Sequence, residues 1–133
     1  MQNIINFFTN RKNFKYFLFI ALFLLYFWNL GTYGLLNPDE GRYSEIPREM
    51  LESGNFFSPH LNYVLYFEKP PLHYWLTALS FVVFGQNEFA SRFIPVIMGL
   101  LSILMMWYFV RKFYDEDLAN LSATILGTSS LFF

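Results

Sequence analysis

Residues 16–36 read YFLFIALFLLYFWNLGTYGLL, twenty-one consecutive positions without a charge. At 1.5 Å per residue an α-helix of this length covers about 30 Å, the thickness of a bilayer's hydrocarbon core. A secretory signal reads differently: its apolar part is about 7–15 residues long and ends at a small-residue cleavage site. This run is longer and carries no A-x-A-like end. It predicts an uncleaved membrane helix.

Two further runs extend the pattern. Residues 93–110 are eighteen uncharged positions that include Pro95 and Gly99, which membrane helices tolerate better than soluble ones. Residues 118–133 are sixteen more, about 24 Å of helix and short of a full crossing. The chain is still apolar at Phe133, with no polar cap or basic flank after it. That predicts a third span cut short and a longer parent chain. A fourth apolar stretch, residues 72–84, has thirteen positions and includes His73, Tyr74 and Trp75. It is too short to span, and its aromatics suit the membrane boundary, so it predicts a helix lying in the interface.

Charge placement orients these segments. Arg11, Lys12 and Lys15 precede the first span, and Arg111 and Lys112 follow the second. Two crossings put both clusters on one side, which the positive-inside rule makes cytoplasmic. The expected order is a basic cytoplasmic N-terminus (1–15), a span (16–36), an external loop (37–88) with juxtamembrane helices at 38–53 and 72–84, a span (89–110), a cytoplasmic loop (111–117) and a third span (118–133). The external loop holds seven acids, Asp39, Glu40, Glu45, Glu49, Glu52, Glu68 and Glu88, against Arg42, Arg48 and Lys69.

Composition agrees. Over 133 residues, hydrophobic types make up 55% and charged types 14%, with 18 Phe and 9 Tyr. A soluble fold of this size cannot hide so much apolar surface. The net charge of −1 and the absence of a basic groove speak against a nucleic-acid partner. The chain has no Cys, which excludes disulfides, thiolate catalysis and Cys-ligated metals.

The first external motif is Asn37-Pro38-Asp39-Glu40-Gly41-Arg42-Tyr43. Local helix chemistry accounts for part of it: Asn37 as N-cap, Pro38 at the first helical position, and Glu40 as in a capping box. On a helix from Pro38 to Ser53, bent at Pro47, Tyr43, Ile46 and Met50 follow Asp39 on the apolar face. Glu45, Arg48, Glu49 and Glu52 pair on the other face. Asp39 is then a carboxylate at the membrane-facing end of an amphipathic helix, a functional candidate by default.

The second motif is Tyr66-Phe67-Glu68-Lys69-Pro70-Pro71. An exposed Glu–Lys pair contributes only about 0–1 kcal/mol. Lys69 also stands just before a helix N-terminus, where a cation is disfavoured unless an anion binds beside it. Lys69 is therefore a candidate phosphate ligand. His60 and His73 are isolated histidines that read as surface or interfacial side chains, and Pro59, Asn62 and Ser53-Gly54-Asn55 read as turns.

One span, then NPDEGRYSEIPREMLESGNFFSPHLNYVLYFEKPPLHYWLTALSFVVFG, then NEFASRFIPVIMGLL, resembles the aminoarabinose-transferase and protein O-mannosyltransferase family. D-E-x-R-Y, E-M-L-x-S-G and Y-F-E-K-P-P occur together at the spacing that is specific to it, over a resemblance running from about Leu30 to the C-terminus. The resemblance implies an all-α integral membrane protein with the C-type glycosyltransferase fold, here about three transmembrane helices and two interfacial helices in the first external loop. It implies that Asp39 is the catalytic or acceptor-positioning acid and Glu40 its acidic neighbour. It further implies that Lys69 contacts the lipid phosphate, that Arg42, Tyr43 and Tyr66 line the same cavity, and that Glu68 helps to hold a divalent metal ion.

The expected activity is sugar transfer, with inversion, from a polyprenyl-phosphate-linked donor to a lipid, glycan or protein acceptor at the outer face of a bacterial inner membrane. The 133 residues alone are expected to be inactive. Two rival readings are a non-catalytic adaptor or gene remnant, and a lipid or ion transporter. Transporters place ionisable groups within their spans, whereas here they cluster outside. No Ser–His–Asp or His–Glu metal pattern marks a peptidase.

Overall fold

The computed structural model describes residues 11–36 and 38–129. Its elements, in order, are α1 (Arg11–Phe27), α2 (Asp39–Ser53), β1 (His60–Leu61), β2 (Val64–Leu65), α3 (Leu72–Phe84), α4 (Glu88–Phe113) and α5 (Glu116–Gly127). They fall into two units, residues 1–28 with 96–133, and residues 29–95.

In the first unit three helices bury one stripe each. Leu18, Leu22 and Tyr26 of α1 repeat at i, i+4, i+8 and meet Ile103 and Trp107 of α4 and Ala119 and Ala123 of α5. The small alanines let the helices approach closely. Trp107 Nε1 donates to Asn120 Oδ1 at 2.8 Å in the buried seam, and Phe19 meets the Trp107 ring edge-on at 5.7 Å. Tyr26 donates its hydroxyl to the Gly127 carbonyl at 3.2 Å. α5 begins at an N-cap, Asp115, which accepts the Leu118 N–H at 2.7 Å. The opposite faces are apolar as well: Tyr16, Ile20 and Leu24 on α1, and Leu101, Met105 and Tyr108 on α4, are exposed. Helices apolar all round need lipid as their solvent, and α4 is long and apolar enough to cross a membrane.

The uncharged run at 16–36 is not one helix, contrary to the expectation. α1 stops at Phe27 and the chain turns through residues 28–33. Asn29 adopts a left-handed φ of 59°, a conformation Asn tolerates better than most residues, and Gly31 and Gly34 follow within five residues. α4 continues to Phe113, past the expected end at 110, and α5 starts at Glu116. The last four residues, 130–133, and the expected N-cap Asn37 lie outside the described residues. Among the described residues one helix, α4, is long and apolar enough to cross a membrane, and the apolar stretches at Asn13–Phe27 and Leu72–Phe84 are shorter.

In the second unit α2 and α3 pack around Ile46, Met50 and Tyr74, with Tyr43, Leu61 and Tyr66 against them. α2 ends at Gly54, whose φ of 70° is the left-handed stop that glycine adopts without strain. β1 and β2 form an antiparallel hairpin with His60 opposite Leu65. Its two-residue turn, Asn62 and Tyr63, has φ of 53° and 61°, the mirror-image turn that matches strand twist. Glu49, expected on the solvated face of α2, is only 2% exposed and accepts the Tyr63 N–H. α3 covers Leu72–Phe84, the bounds of the apolar run. A short turn leads to Asn87, which caps α4 by accepting the Ala90 N–H at 2.8 Å.

Candidate functional site: a cationic cleft beside the first turn of α2

An open cleft of about 560 Å³ lies within the second unit, lined among others by Glu40, Tyr43, Lys69, His73, Tyr74 and Arg92. Three of the sequence candidates, Glu40, Tyr43 and Lys69, come together here. Most of the cleft's other walls are apolar, from Leu35, Pro70, Leu72 and Pro95.

Lys69 stands at the start of α3. The N-cap position there is Pro71, which makes no side-chain bond to the first turn, so the N–H groups of that turn lack a capping acceptor. Lys69 makes no ion pair with any described residue. A free ammonium beside free helix N–H groups is an anion site in waiting.

His73 packs edge-on against Tyr43, ring centres 5.4 Å apart, and burial pushes its imidazole below the ordinary value. A neutral imidazole is a hydrogen-bond partner rather than a second cation. Tyr74 is fully buried, with its hydroxyl unpaired among the described residues. Burial, ahead of the neighbouring Tyr66, Tyr43 and Glu68, pushes its phenol up to about 12.

The remaining candidates form a chain of contacts outside the cleft lining. Asp39, whose side chain is 73% exposed, accepts from Arg42 at 2.7 Å. Arg42 acts in turn on the Tyr66 phenol, which donates to Glu68 Oε2 at 2.9 Å. That bond to Glu68 is the main reason the Tyr66 phenol titrates above its ordinary value. A divalent ion needs several ligands, four for a structural zinc and six or more for calcium. Among the described residues no three His, Asp or Glu are placed to share one, and Glu68 already engages Tyr66.

Arg92 is the residue that sequence reasoning passed over. Its guanidinium binds Glu40 through both carboxylate oxygens, at 3.0 Å and 2.8 Å. Glu40 also accepts the Leu36 N–H at 2.7 Å, a reach-back of the capping-box kind made to a residue further upstream. The Arg92 bond, with the Leu36 N–H and the guanidinium charge, holds the Glu40 carboxyl below its ordinary range despite partial burial. The one available signal was position: an arginine directly before eighteen uncharged residues must find a partner or snorkel.

A family model described as dolichyl-phosphate-mannose-protein mannosyltransferase matches residues 68–133. An undecaprenyl phosphate-alpha-4-amino-4-deoxy-L-arabinose arabinosyl transferase of Pseudomonas savastanoi pv. phaseolicola is 43% identical over 113 residues, covering 84% of this chain and 21% of that protein. The enzyme of the same name from Enterobacter sp. is 44% identical over 115 residues, covering 86% and 21%. Among solved structures, ArnT from Cupriavidus metallidurans bound to undecaprenyl phosphate superposes with a TM-score of 0.72 at 38% identity, over 77% of this chain and 19% of that one. Its apo state gives 0.71 at 33% identity, over 80% and 22%. The chain thus spans about a fifth of the length of the curated relatives it matches. With the shared motifs, the shared backbone and these identities, the chain belongs to the aminoarabinose-transferase and protein O-mannosyltransferase family of membrane glycosyltransferases.

Proposed function

We propose that this chain forms the donor-phosphate end of the active site of a membrane glycosyltransferase. The enzyme moves a sugar from a polyprenyl-phosphate donor to a lipid, glycan or protein acceptor at the outer face of a bacterial inner membrane. The relatives' names make undecaprenyl-phosphate-linked 4-amino-4-deoxy-L-arabinose the donor to try first. The observation that carries this reading is Lys69: a cation with no ion pair among the described residues, at an uncapped helix N-terminus, lining a cleft whose other cation, Arg92, is already committed to Glu40.

The chemistry follows from the residues. The anomeric carbon passes through an oxocarbenium-like state as its bond to the phosphate oxygen breaks. The electron pair stays on the phosphate, so catalysis there calls for positive charge rather than a proton donor, and Lys69 supplies it. The acceptor oxygen bonds to the opposite face of the anomeric carbon, inverting it. A hydroxyl acceptor releases its proton to Asp39, whose exposed carboxylate is open to an incoming group. A phosphate acceptor needs no base, and Asp39 then positions it. Arg42 holds Asp39, Tyr43 shapes the cleft wall, Tyr66 braces Glu68 beside it, and Glu40, committed to Arg92, holds the backbone rather than moving protons. In this reading α1, α4 and α5 cross the bilayer with the N-terminus cytoplasmic, and residues 37–88 lie outside.

Binding of undecaprenyl phosphate to the full-length protein in nanodiscs tests the assignment. Losing a charge-assisted contact costs about 1.5–3 kcal/mol, roughly 10- to 100-fold in affinity. Lys69→Ala should show that loss and Lys69→Arg should not. Equal affinity in Lys69→Ala and wild type would remove Lys69 from the phosphate site.

A further inference from the structure

We propose that Arg92 is a positioning residue for sugar transfer, fixing the first turn of α2 and with it the place of Asp39. This rests on the function proposed above.

An arginine has five N–H donors, and every one of those on Arg92 has an acceptor. Nε donates to Glu40 Oε1 at 3.0 Å. Nη1 donates to the carbonyls of Leu30 at 3.0 Å and Tyr33 at 2.8 Å. Nη2 donates to the carbonyl of Gly34 at 3.0 Å and to Glu40 Oε2 at 2.8 Å. The side chain is 16% exposed. One planar group therefore ties three segments, the start of α4, the turns after α1 and the first turn of α2.

The tie matters because the start of α2 lacks a side-chain cap of its own. Pro38 at the N-cap of α2 offers no side-chain bond. Carbonyls in an irregular turn have no ladder to satisfy them, and Arg92 takes three. Glu40 is the adjacent residue to Asp39, and its two anchors are Arg92 and the Leu36 N–H. Lysine cannot replace such a fork, since its ammonium has three donors and no plane.

Arg48 supplies the contrast. It makes an equally short fork, to Glu45 at 2.6 Å and 2.9 Å and to Glu52 at 2.8 Å, but all three residues belong to α2. Arg48 stiffens α2 and also reaches Tyr63 of the hairpin turn, whereas Arg92 registers the first turn of α2 against the start of α4 and the turns after α1.

The experiment is steady-state sugar transfer by the full-length protein in liposomes, with undecaprenyl-phosphate-linked aminoarabinose as donor, for wild type, Arg92→Lys, Arg92→Gln and Arg48→Lys. A displacement of about 1 Å at a reacting group can cost about 10²-fold in rate. Both Arg92 variants should therefore lose about that much in kcat with donor KM within about threefold of wild type, and Arg48→Lys should stay within about threefold in both. Wild-type kcat in either folded Arg92 variant overturns the proposal. So does an equal loss in Arg48→Lys, or failure of both Arg92 variants to reach a folded state, since each marks a structural role only. A wild-type protein that transfers nothing sinks the parent reading instead.

Discussion

Both carboxylate oxygens of Glu49 accept the backbone N–H of Tyr63, at 3.2 Å and 3.1 Å, across fourteen residues of sequence. This bond ties the tip of the hairpin to α2, and Glu52 adds a second contact to the Tyr63 hydroxyl at 3.2 Å. It accounts for a buried carboxylate on an acidic helix: Glu49 turns inward to accept the N–H of the hairpin's turn.

Glu49→Ala should accordingly destabilise the second unit by about 1.5–3 kcal/mol, the worth of a hydrogen bond to a charged acceptor. Glu49→Gln keeps an acceptor oxygen and should lose less. Amide exchange at Tyr63 reads this directly, with faster exchange in Glu49→Ala than in Glu49→Gln. Unchanged protection in Glu49→Ala would break the link between hairpin and helix.

The Glu40–Arg92 pair should be sensitive to acid. Arg92 holds the Glu40 carboxyl below its ordinary value in the folded state, so the unfolded chain takes up the proton first as pH falls. The stabilisation is complete above the ordinary carboxylate range and is lost as pH drops through the lowered folded value. The Leu36 amide, which bonds Glu40, should stay protected at neutral pH and open in that acid window. Protection that persists unchanged at the acid end would show that the carboxylate is not what holds it.

His73 should titrate below an ordinary imidazole, because burial disfavours its charged form. The folded state then resists the proton more than the unfolded chain does, so lowering pH through the imidazole range weakens the fold. An NMR titration of the labelled ring checks this, and Tyr43→Ala, which removes the ring packed on it, should move the value back toward normal. An ordinary value in the wild type would contradict the described packing.

These contacts mark where the sequence was legible. α2 and α3 follow from local signals: Pro at the start of each, apolar spacing at Tyr43, Ile46 and Met50, and Gly54 and Gly85 just past the ends. Lys69 stood out because a cation before a helix N-terminus is locally unfavourable. Residues 16–36 misled because missing charge indicates an apolar environment without specifying helix, and Asn29, Gly31 and Gly34 break the run. Glu49 looked solvated because its neighbours on α2 pair with Arg48, and the acceptor role comes from a hairpin with strands of two residues. Arg92 was invisible for a related reason. Its partners lie 52 to 62 residues away, beyond any helical or strand period.

Gly127 offers a test inside the first unit. A Cβ there would stand 2.7 Å from a Leu22 methyl and 3.3 Å from Ile103 Cδ1. The Leu22 methyl is the end of a flexible side chain, so Gly127→Ala should be mild. Gly127→Leu overfills the seam and should cost about 1–3 kcal/mol. Thermal unfolding in detergent measures the order wild type, Ala, Leu, and a Leu variant as stable as wild type would refute close packing at this point.

The most direct test of the central claim is sugar transfer itself. Full-length protein reconstituted in liposomes, given undecaprenyl-phosphate-linked aminoarabinose and a lipid acceptor, should release undecaprenyl phosphate and glycosylate the acceptor. Lys69→Ala and Asp39→Asn should each lower the rate by about 10²-fold or more. Transfer by both variants at the wild-type rate would contradict the account.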